Sequence, residues 1–541
     1  MRLTSLGPAV PTAAVGARPV PAAFLAPWQA LLTALAGGLL LAAAFPPVGV
    51  WPLAAAGPAL LAIALWRQRL RTALTAGLIF GLAFFVPLLS WLVNVAWYVW
   101  AALAVIEALM FAVLAAGQWL LLRLRAWPLA VAGWWVSAEA IRDRWPFGGF
   151  PWGRLVMSQA SAPSLRWVSV GGPPFVSFLI ALAGACAAWI VLGPARRRVR
   201  PTIAFAVVAL VILCGPLLPA GQAAPGNPTA VVAAVQGNVP HTKNLPDQLR
   251  ATTVTQNHAA ATLRLAARIR RGQVPAPDLV IWPENSTDQD PLLNPFIYDT
   301  IAAAVDGIDR PVLVGAILQD PVRNAGQLWL PGKGPVAVYV KRRLVPFGEV
   351  IPFRGFLDKF TSLPSLQPVN FTPGHKAVVF RIGKIRLGDV ICYEVGFDGL
   401  VSSEVAAGAN LLTVQTNDAD FELDGQTGET EQQLAMARVR AVEHDRAVVV
   451  ASTTGVSAII APDGSLLAST RTWSQAEIEA RVPLRTARTL ADRIGGWPEG
   501  LLTWATAVAL AWALAAAARR RRGNLRPGPA GQAAQAAEAP Q

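Results

Sequence analysis

The feature that most constrains this chain is a series of long apolar runs joined by short turns, every second of which is rich in arginine. Runs near 28–45, 48–66, 73–93, 97–122, 127–141, 167–192 and 202–218, with an eighth near 501–518, approach the roughly 20 residues a helix needs to cross a bilayer. Arg67, Arg69 and Arg71 follow the second run, and Arg123 and Arg125 the fourth. Arg196, Arg197, Arg198 and Arg200 follow the sixth, Arg519 to Arg522 follow the eighth, and the turns after the first and third carry no charge. Very apolar helices of a soluble protein have no reason to alternate charge in this way, whereas helices inserted under the positive-inside rule do. The pattern predicts an integral membrane α-helical bundle of eight spans with both termini in the cytoplasm. A disordered N-terminal tail would cover 1–26, a seven-helix transmembrane domain 27–218, and an extracytoplasmic domain 219–496. A C-terminal transmembrane helix would cover 497–518, and a basic, disordered cytoplasmic tail 519–541. The fifth run is the shortest and holds Glu139.

Composition agrees: 54% of the residues are hydrophobic and only 14% charged, where an ordinary soluble domain is about a quarter charged. The net charge of +14 raises the question of a nucleic-acid partner. Between Pro219 and Gly496, however, 26 Lys and Arg face 27 Asp and Glu, so the excess lies in the flanks and is all arginine. A polyanion-binding domain carries its own basic surface, and nucleic acid is excluded as a partner.

The segment 219–496 has a different grain. "TAVVAAVQGNV", "PDLVIWPE", "RPVLVGAIL", "VAVYVKR", "KIRLGDVICYE", "NLLTVQTND" and "AVVVASTTG" are short β-branched runs bounded by Gly, Pro, Asn or Asp and read as strands. Helical stretches over 248–271 and 429–445 lie between them, which predicts one layered α/β domain.

Of three cysteines, Cys186 and Cys214 fall in or beside apolar runs, where a small residue needs no special role. Cys392 is then the sole thiol of a domain placed outside the cytoplasm, at the end of a strand and the start of a helical stretch. A leftover cysteine there is either a quiet buried residue, which position alone favours, or a reactive thiol. A thiol nucleophile needs a base and an oxyanion donor. The four histidines (His241, His258, His375 and His444) offer no convincing base. Glu284 ends one apolar strand, where burial would raise its pKa towards that of a useful base; Lys341 ends another, where its ammonium could meet a developing oxyanion. Each alone is an ordinary strand-terminal charge, and the combination is what points to chemistry. Histidine and cysteine are too few and scattered for a metal set, so neither metal nor cofactor is expected.

The Glu–Lys–Cys arrangement in "IWPENS", "YVKRRLVPFGEVIPF" and "GDVICYE" resembles the nitrilase superfamily. Apolar spans on both sides, with "AEAIRDRWPFGGFPWGRLVMSQ" at 138–159, "VQGNV" at 235–239 and "QQLAMARVRAVEHDRAVVVASTTGVSAII" at 432–460, resemble its apolipoprotein N-acyltransferase branch. The resemblance implies a four-layer αββα sandwich, with Glu284 as general base, Lys341 stabilising the tetrahedral intermediate and Cys392 as the nucleophile that becomes a thioester. Glu349 would support the site, and Tyr393 and Glu394 would shape its pocket. It also implies a multi-pass enzyme of the bacterial inner membrane, acting as a monomer. Its acyl donor would be a phospholipid and its acceptor a diacylglyceryl apolipoprotein. The chain departs from the family's pattern at "NDADFELDGQTGETEQQ", where Asp420 stands in place of an aromatic or threonine and the loop over 417–425 is longer. Two other readings use the same residues: a membrane-tethered amidohydrolase that releases its acyl group to water, and a catalytically idle paralogue that binds lipoproteins. A transporter would need more intramembrane charge than Glu107 and Glu139. In "FRGFLDKF", Phe353, Phe356, Leu357 and Phe360 share one helical face, which suits either a lid over lipid or plain packing.

Overall fold

A computed structural model describes residues 23–219, 228–240, 247–359, 367–421 and 426–525. The apolar runs form helices α1 (Pro27–Ala43), α2 (Leu53–Leu65), α3 (Leu70–Leu88), α4 (Trp97–Leu121), α5 (Trp127–Arg142), α6 (Val168–Leu192) and α7 (Val199–Leu213). The layered domain follows as β1 (Thr229–Gln236), α8 (Asp247–Arg270), β2 (Leu279–Ile281), α9 (Pro295–Ile308), β3 (Val312–Leu318), β4 (Arg323–Leu330) and β5 (Gly334–Val340). It continues through α10 (Arg354–Leu357), β6 (Val379–Ile382), β7 (Ile385–Ile391), α11 (Asp398–Ala406), β8 (Leu411–Thr416) and α12 (Gly428–His444). It closes with β9 (Val448–Ser452), β10 (Ala458–Ile460), β11 (Leu466–Ser469), β12 (Ala476–Pro483) and α13 (Leu490–Ile494), before the terminal helix α14 (Trp497–Leu525).

Among the described residues, four helices are long and apolar enough to cross a membrane: α3, α4, α6 with the turn before it, and α14 as far as Arg519; α1, α2 and α7 are shorter apolar helices. Without a strong hydrophobic drive between helices in lipid, small residues let backbones approach. Gly77 and Gly81, one turn apart on α3, do this against α4: a Cβ at Gly77 would lie 2.4 Å from the Ala115 Cβ, and one at Gly81 2.6 Å from the Ala108 Cα. The terminal helix outruns its apolar stretch. It runs past 518 to Leu525, because arginines continue a helix as readily as they end a span. The expected N-terminal tail up to residue 22 and the last residues from 526 lie outside the described residues.

Two six-stranded sheets, ordered β12-β1-β2-β3-β4-β5 and β11-β10-β9-β8-β7-β6, pack face to face. Alternation along each strand sorts the side chains. Ala230, Val232 and Ala234 of β1 meet Ile385, Leu387 and Ile391 of β7 between the sheets, while Ala233 and Val235 turn outward to α8 and α9. On the far side Val390, Leu412 and Val414 meet α11 and α12 in a cluster that runs without a break into the membrane helices. The order is helix, sheet, sheet, helix, with the bundle behind the last layer. The expected helical face at 353–360 shrinks to α10. Phe353 precedes it at φ 52°, which interrupts the helix, and Phe360 lies outside the described residues.

Candidate active site

Three strand ends converge where the two sheets open towards the bundle. Cys392 follows β7 at φ 51°, a left-handed conformation that costs a non-glycine residue about 1–2 kcal/mol. Glu394 holds the bend. Its Oε2 accepts from the Ile391 amide at 2.9 Å and the Tyr339 hydroxyl at 2.8 Å, and its Oε1 accepts from the Arg342 and Arg343 amides at 2.6 and 2.9 Å. The carboxylate therefore locks the cysteine turn to the end of β5, where Lys341 stands. Glu394 is fully buried, with both oxygens engaged inside the turn on which the site is built.

Lys341 Nζ donates to Glu284 Oε1 at 2.9 Å and to Glu349 Oε1 at 3.0 Å. Asn324 Nδ2 donates to the same two oxygens at 2.7 and 2.8 Å, so one amide and one ammonium clamp both carboxylates. The remaining oxygens are held by backbone: Asn417 N–H reaches Glu284 Oε2 at 3.0 Å and Val345 N–H reaches Glu349 Oε2 at 2.8 Å. Burial raises the pKa of Glu284, Lys341 offsets part of the rise, and Glu349 adds to it. Burial works against the Lys341 ammonium, but Glu284 and Glu349 more than compensate and hold it charged. The Cys392 thiol is pushed well up, by burial first and by Glu284 next, against the pull of Lys341. At rest the sulfur is a thiol, and a carboxylate with a raised pKa stands beside the ammonium, the pairing that a thiol nucleophile would require.

Sequence reasoning missed three groups here. Asn324 is the second residue of β4, a strand without β-branched residues, and nothing in its neighbours signals a role. It reaches the site because β4 pairs antiparallel with β5 and its carbonyl accepts from Lys341 N–H at 2.9 Å. Gln433 on α12 places Nε2 3.6 Å from Cys392 Sγ and 3.1 Å from Glu429 Oε1; Glu429, one helical turn earlier, also raises the thiol pKa. Tyr393 turns towards the bundle, donating its hydroxyl to Gly149 O at 2.5 Å and stacking on Trp152 at 5.8 Å. His258 and His444 are engaged elsewhere, with Val254 O and Asp492; His241 lies outside the described residues.

The stretch 138–159 ties the bundle to this site. Arg154 bridges Asp398 at 2.8 Å and Asp143 at 3.1 Å, and Arg440 meets Asp398 at 2.7 Å and Glu443 at 2.6 Å. Burial alone would raise Asp398, yet the two guanidinium groups bring it down to about 2. Pro151 sits so close to Gly396 that a Cβ there would lie 2.5 Å from its Cγ. The cysteine turn is therefore built against the bundle as much as against its own sheet.

Residues 37–186 match the apolipoprotein N-acyltransferase N-terminal domain, and residues 301–492 the carbon-nitrogen hydrolase family. The apolipoprotein N-acyltransferase of Mycolicibacterium smegmatis is 38% identical over 491 residues, covering 86% of this chain and 82% of that one. The enzyme of the same name from Azotobacter vinelandii is 31% identical over 542 residues, covering 94% and 98%. An amidase from Nesterenkonia sp. aligns at a TM-score of 0.35 with 17% identity, over 49% of this chain and 94% of that one, a likeness too slight to bear on the assignment. Likeness to the two enzymes runs through both the helical and the layered part, the same two parts that 138–159 holds together, and the chain belongs to the apolipoprotein N-acyltransferase family.

Proposed function

We propose that the protein transfers a fatty acyl chain from a phospholipid, through a thioester on Cys392, to the α-amine of an S-diacylglyceryl-cysteine at the N-terminus of an apolipoprotein. The observation that carries this reading is the clamp on Glu284 beside the charged Lys341, at the point where the thiol turn meets the membrane bundle. Glu284 takes the thiol proton and the sulfur attacks the donor's ester carbonyl. Lys341 stabilises the oxyanion, the C–S bond forms, and the ester C–O bond breaks as lysophospholipid leaves with the proton. In the second half Glu284 accepts one proton from the incoming ammonium and releases it to solvent. The amine nitrogen attacks the thioester carbon, the C–N bond forms and the C–S bond breaks, and the sulfur takes the remaining proton. Glu349 and Asn324 keep Glu284 and Lys341 in register, and Tyr393 and Glu394 position the thiol turn.

Two lipid substrates suit a site tied to a bilayer. The reading places eight spans across a bacterial inner membrane, the layered domain outside the cytoplasm, both termini inside and a monomer as the working unit. Arginine alternation supports this topology, as does the run of apolar core from the bundle into α12. Intact mass of the purified protein after incubation with phosphatidylethanolamine vesicles tests the chemistry. A fatty-acyl adduct is expected, absent from Cys392→Ala and discharged by a diacylglyceryl-cysteinyl peptide. Discharge to water at the same rate without the peptide would favour the amidohydrolase reading, and no adduct would end both. The rate of adduct formation is expected to fall on the acid side at a pH above an ordinary carboxylate's, because Glu284 must be ionised to act and its pKa is raised.

A further inference from the structure

One acid beneath the site has so far been given no part in the reaction. Asp389 lies on β7, three residues before Cys392, and is fully buried. Alternation turns it, with Leu387 and Ile391, into the gap between the two sheets. In the parallel register of β7 and β8, Asp389 pairs with Thr413 and Ile391 with Gln415, so Asp389 and Gln415 are diagonal neighbours on that face. Gly326 of β4 makes room for both: a Cβ there would lie 2.1 Å from Asp389 Oδ2 and 2.7 Å from Gln415 Oε1. Two oxygens therefore crowd one point. Neither oxygen of Asp389, nor Oε1 of the equally buried Gln415, has a hydrogen-bond partner among the described residues.

Gln415 is not free to resolve this by turning over. Its Nε2 donates to Trp282 O at 2.6 Å, and a reversed amide would set its oxygen against that carbonyl. With Oε1 so fixed, an ionised Asp389 would face an acceptor with an acceptor, in a dry gap where an unpaired charge is very costly. No cation pairs with Asp389 among the described residues, since Lys341 is held by Glu284 and Glu349, and Arg342 by Glu404. A carboxyl that keeps its proton turns the clash into an O–H···O bond. Burial first, and the Glu394 and Glu404 carboxylates next, push the Asp389 pKa well up, in the same direction.

What Gln415 holds is the root of the candidate base. Strand β2 ends at Ile281, and Pro283 has no N–H with which to extend the ladder, so the chain leaves the sheet at Trp282 with Glu284 two residues on. Gln415 catches the Trp282 carbonyl across the gap, and Asn417, two residues beyond Gln415, donates its amide to Glu284 Oε2 at 3.0 Å. The end of β8 thus holds Glu284 twice, once by its chain and once by its carboxylate. We propose that Asp389 is a positioning residue for acylation: as a neutral carboxyl it donates its proton to Gln415 Oε1, and the amide so fixed holds the strand end that carries Glu284. The proposal rests on the acyltransferase reading above.

Two measurements on the full-length protein in detergent test it, and the first needs no activity. The infrared difference between the unaltered protein and Asp389→Asn at neutral pH is expected to show the loss of a protonated-carboxyl band. Loss of carboxylate bands instead overturns the proposal, whatever the protein acylates. The second is the rate of acyl-adduct formation with phosphatidylethanolamine vesicles, followed by intact mass. Asp389→Leu, close in size and without a donor, is expected to slow it about tenfold at saturating donor and to leave the donor concentration for half-maximal rate unchanged. Asp389→Asn, whose N–H still reaches Gln415, is expected to recover most of that loss and to keep the acid limb of the pH profile in place. An ionised Asp389 would itself raise the Glu284 pKa, so a limb moved to lower pH in Asp389→Asn overturns the neutral carboxyl. These readouts on Asp389→Asn keep shape and donor, and they stand if a leucine variant does not fold. Gln415→Leu is expected to be as slow as Asp389→Leu, and the double variant no slower than Gln415→Leu. Additive losses, or an unchanged rate in Asp389→Leu, overturn the coupling through Gln415 and leave the acyltransferase reading standing. Failure of the unaltered protein to form the adduct removes that reading and the positioning role together.

Discussion

The sandwich has two helical layers, and they live in opposite surroundings. Helices α8 and α9 lay one face on the first sheet and leave the other in solvent; at the rim of that contact Arg264 and Arg268 of α8 meet Glu477 and Glu479 of the edge strand β12 at 3.0 and 3.1 Å. Helix α12 is scarcely more apolar in sequence than α8, yet not one of its residues is exposed, because the second sheet covers one side and the bundle the other. Its polar residues are spent inside. Gln432 takes the Trp91 indole N–H and donates to Pro46 O and Leu88 O. Gln433 reaches the thiol, and Arg440 binds Val395 O, Gly396 O, Asp398 and Glu443. A polar stripe on a helix is a solvent face only when nothing packs on it; here it is the joint between a membrane domain and a site.

Substitutions can break this comparison. Arg440→Ala leaves the buried Glu443 carboxylate, the part-exposed Asp398 and two carbonyls each short of a partner, and is expected to cost about 3–5 kcal/mol, read as a large fall in the thermal midpoint in detergent. Gln432→Ala strands the Trp91 N–H and two carbonyls, and about 1–3 kcal/mol is expected. Gln433→Leu removes an amide beside the sulfur without opening a cavity. Its expected mark is kinetic, about a tenfold slower formation of the acyl adduct, with a thermal midpoint close to that of the unaltered protein. Arg264→Ala on α8 gives up only an exposed pair and is expected to cost less than about 1 kcal/mol. Should it cost as much as Arg440→Ala, the contrast between the layers fails; if Gln433→Leu unfolds the protein instead of slowing it, α12 is a joint and nothing more.

Much of the strand pattern was legible because buried strands between helices are runs of Val, Ile and Leu: β3, β7, β8 and β9 fall on such runs. β4 and β12 were not. "RNAGQLWL" and "AEIEARVP" break the pattern with polar residues, and in β4 those residues face partners that exist only in the folded state. Gly326 is one physical reason: it leaves room for Asp389, whose Oδ2 would lie 2.1 Å from a Cβ at that position. Glu284, Lys341 and Cys392 were visible because each ends an apolar run, where an ionisable group is out of place. Asn324 and Glu429 were not, because an amide at a strand start and a carboxylate in a first helical turn are ordinary in any sequence.

By itself the sequence determined the apolar bundle, the layered α/β domain and the three chemical groups, since hydropathy, period and charge are properties of neighbours along a chain. Only the tertiary structure decided which carboxylate the ammonium holds, that one asparagine clamps two of them, and that Glu394 is a brace within the fold. It alone put α12 between sheet and bundle, and turned Asp389 and Gln415 to one point between the sheets. Those are relations between residues as far apart as Asn94 and Phe421, whose amide and carbonyl meet at 2.7 Å. Local pattern carries no information at that range: such distances are fixed by strand register and by which faces must leave water.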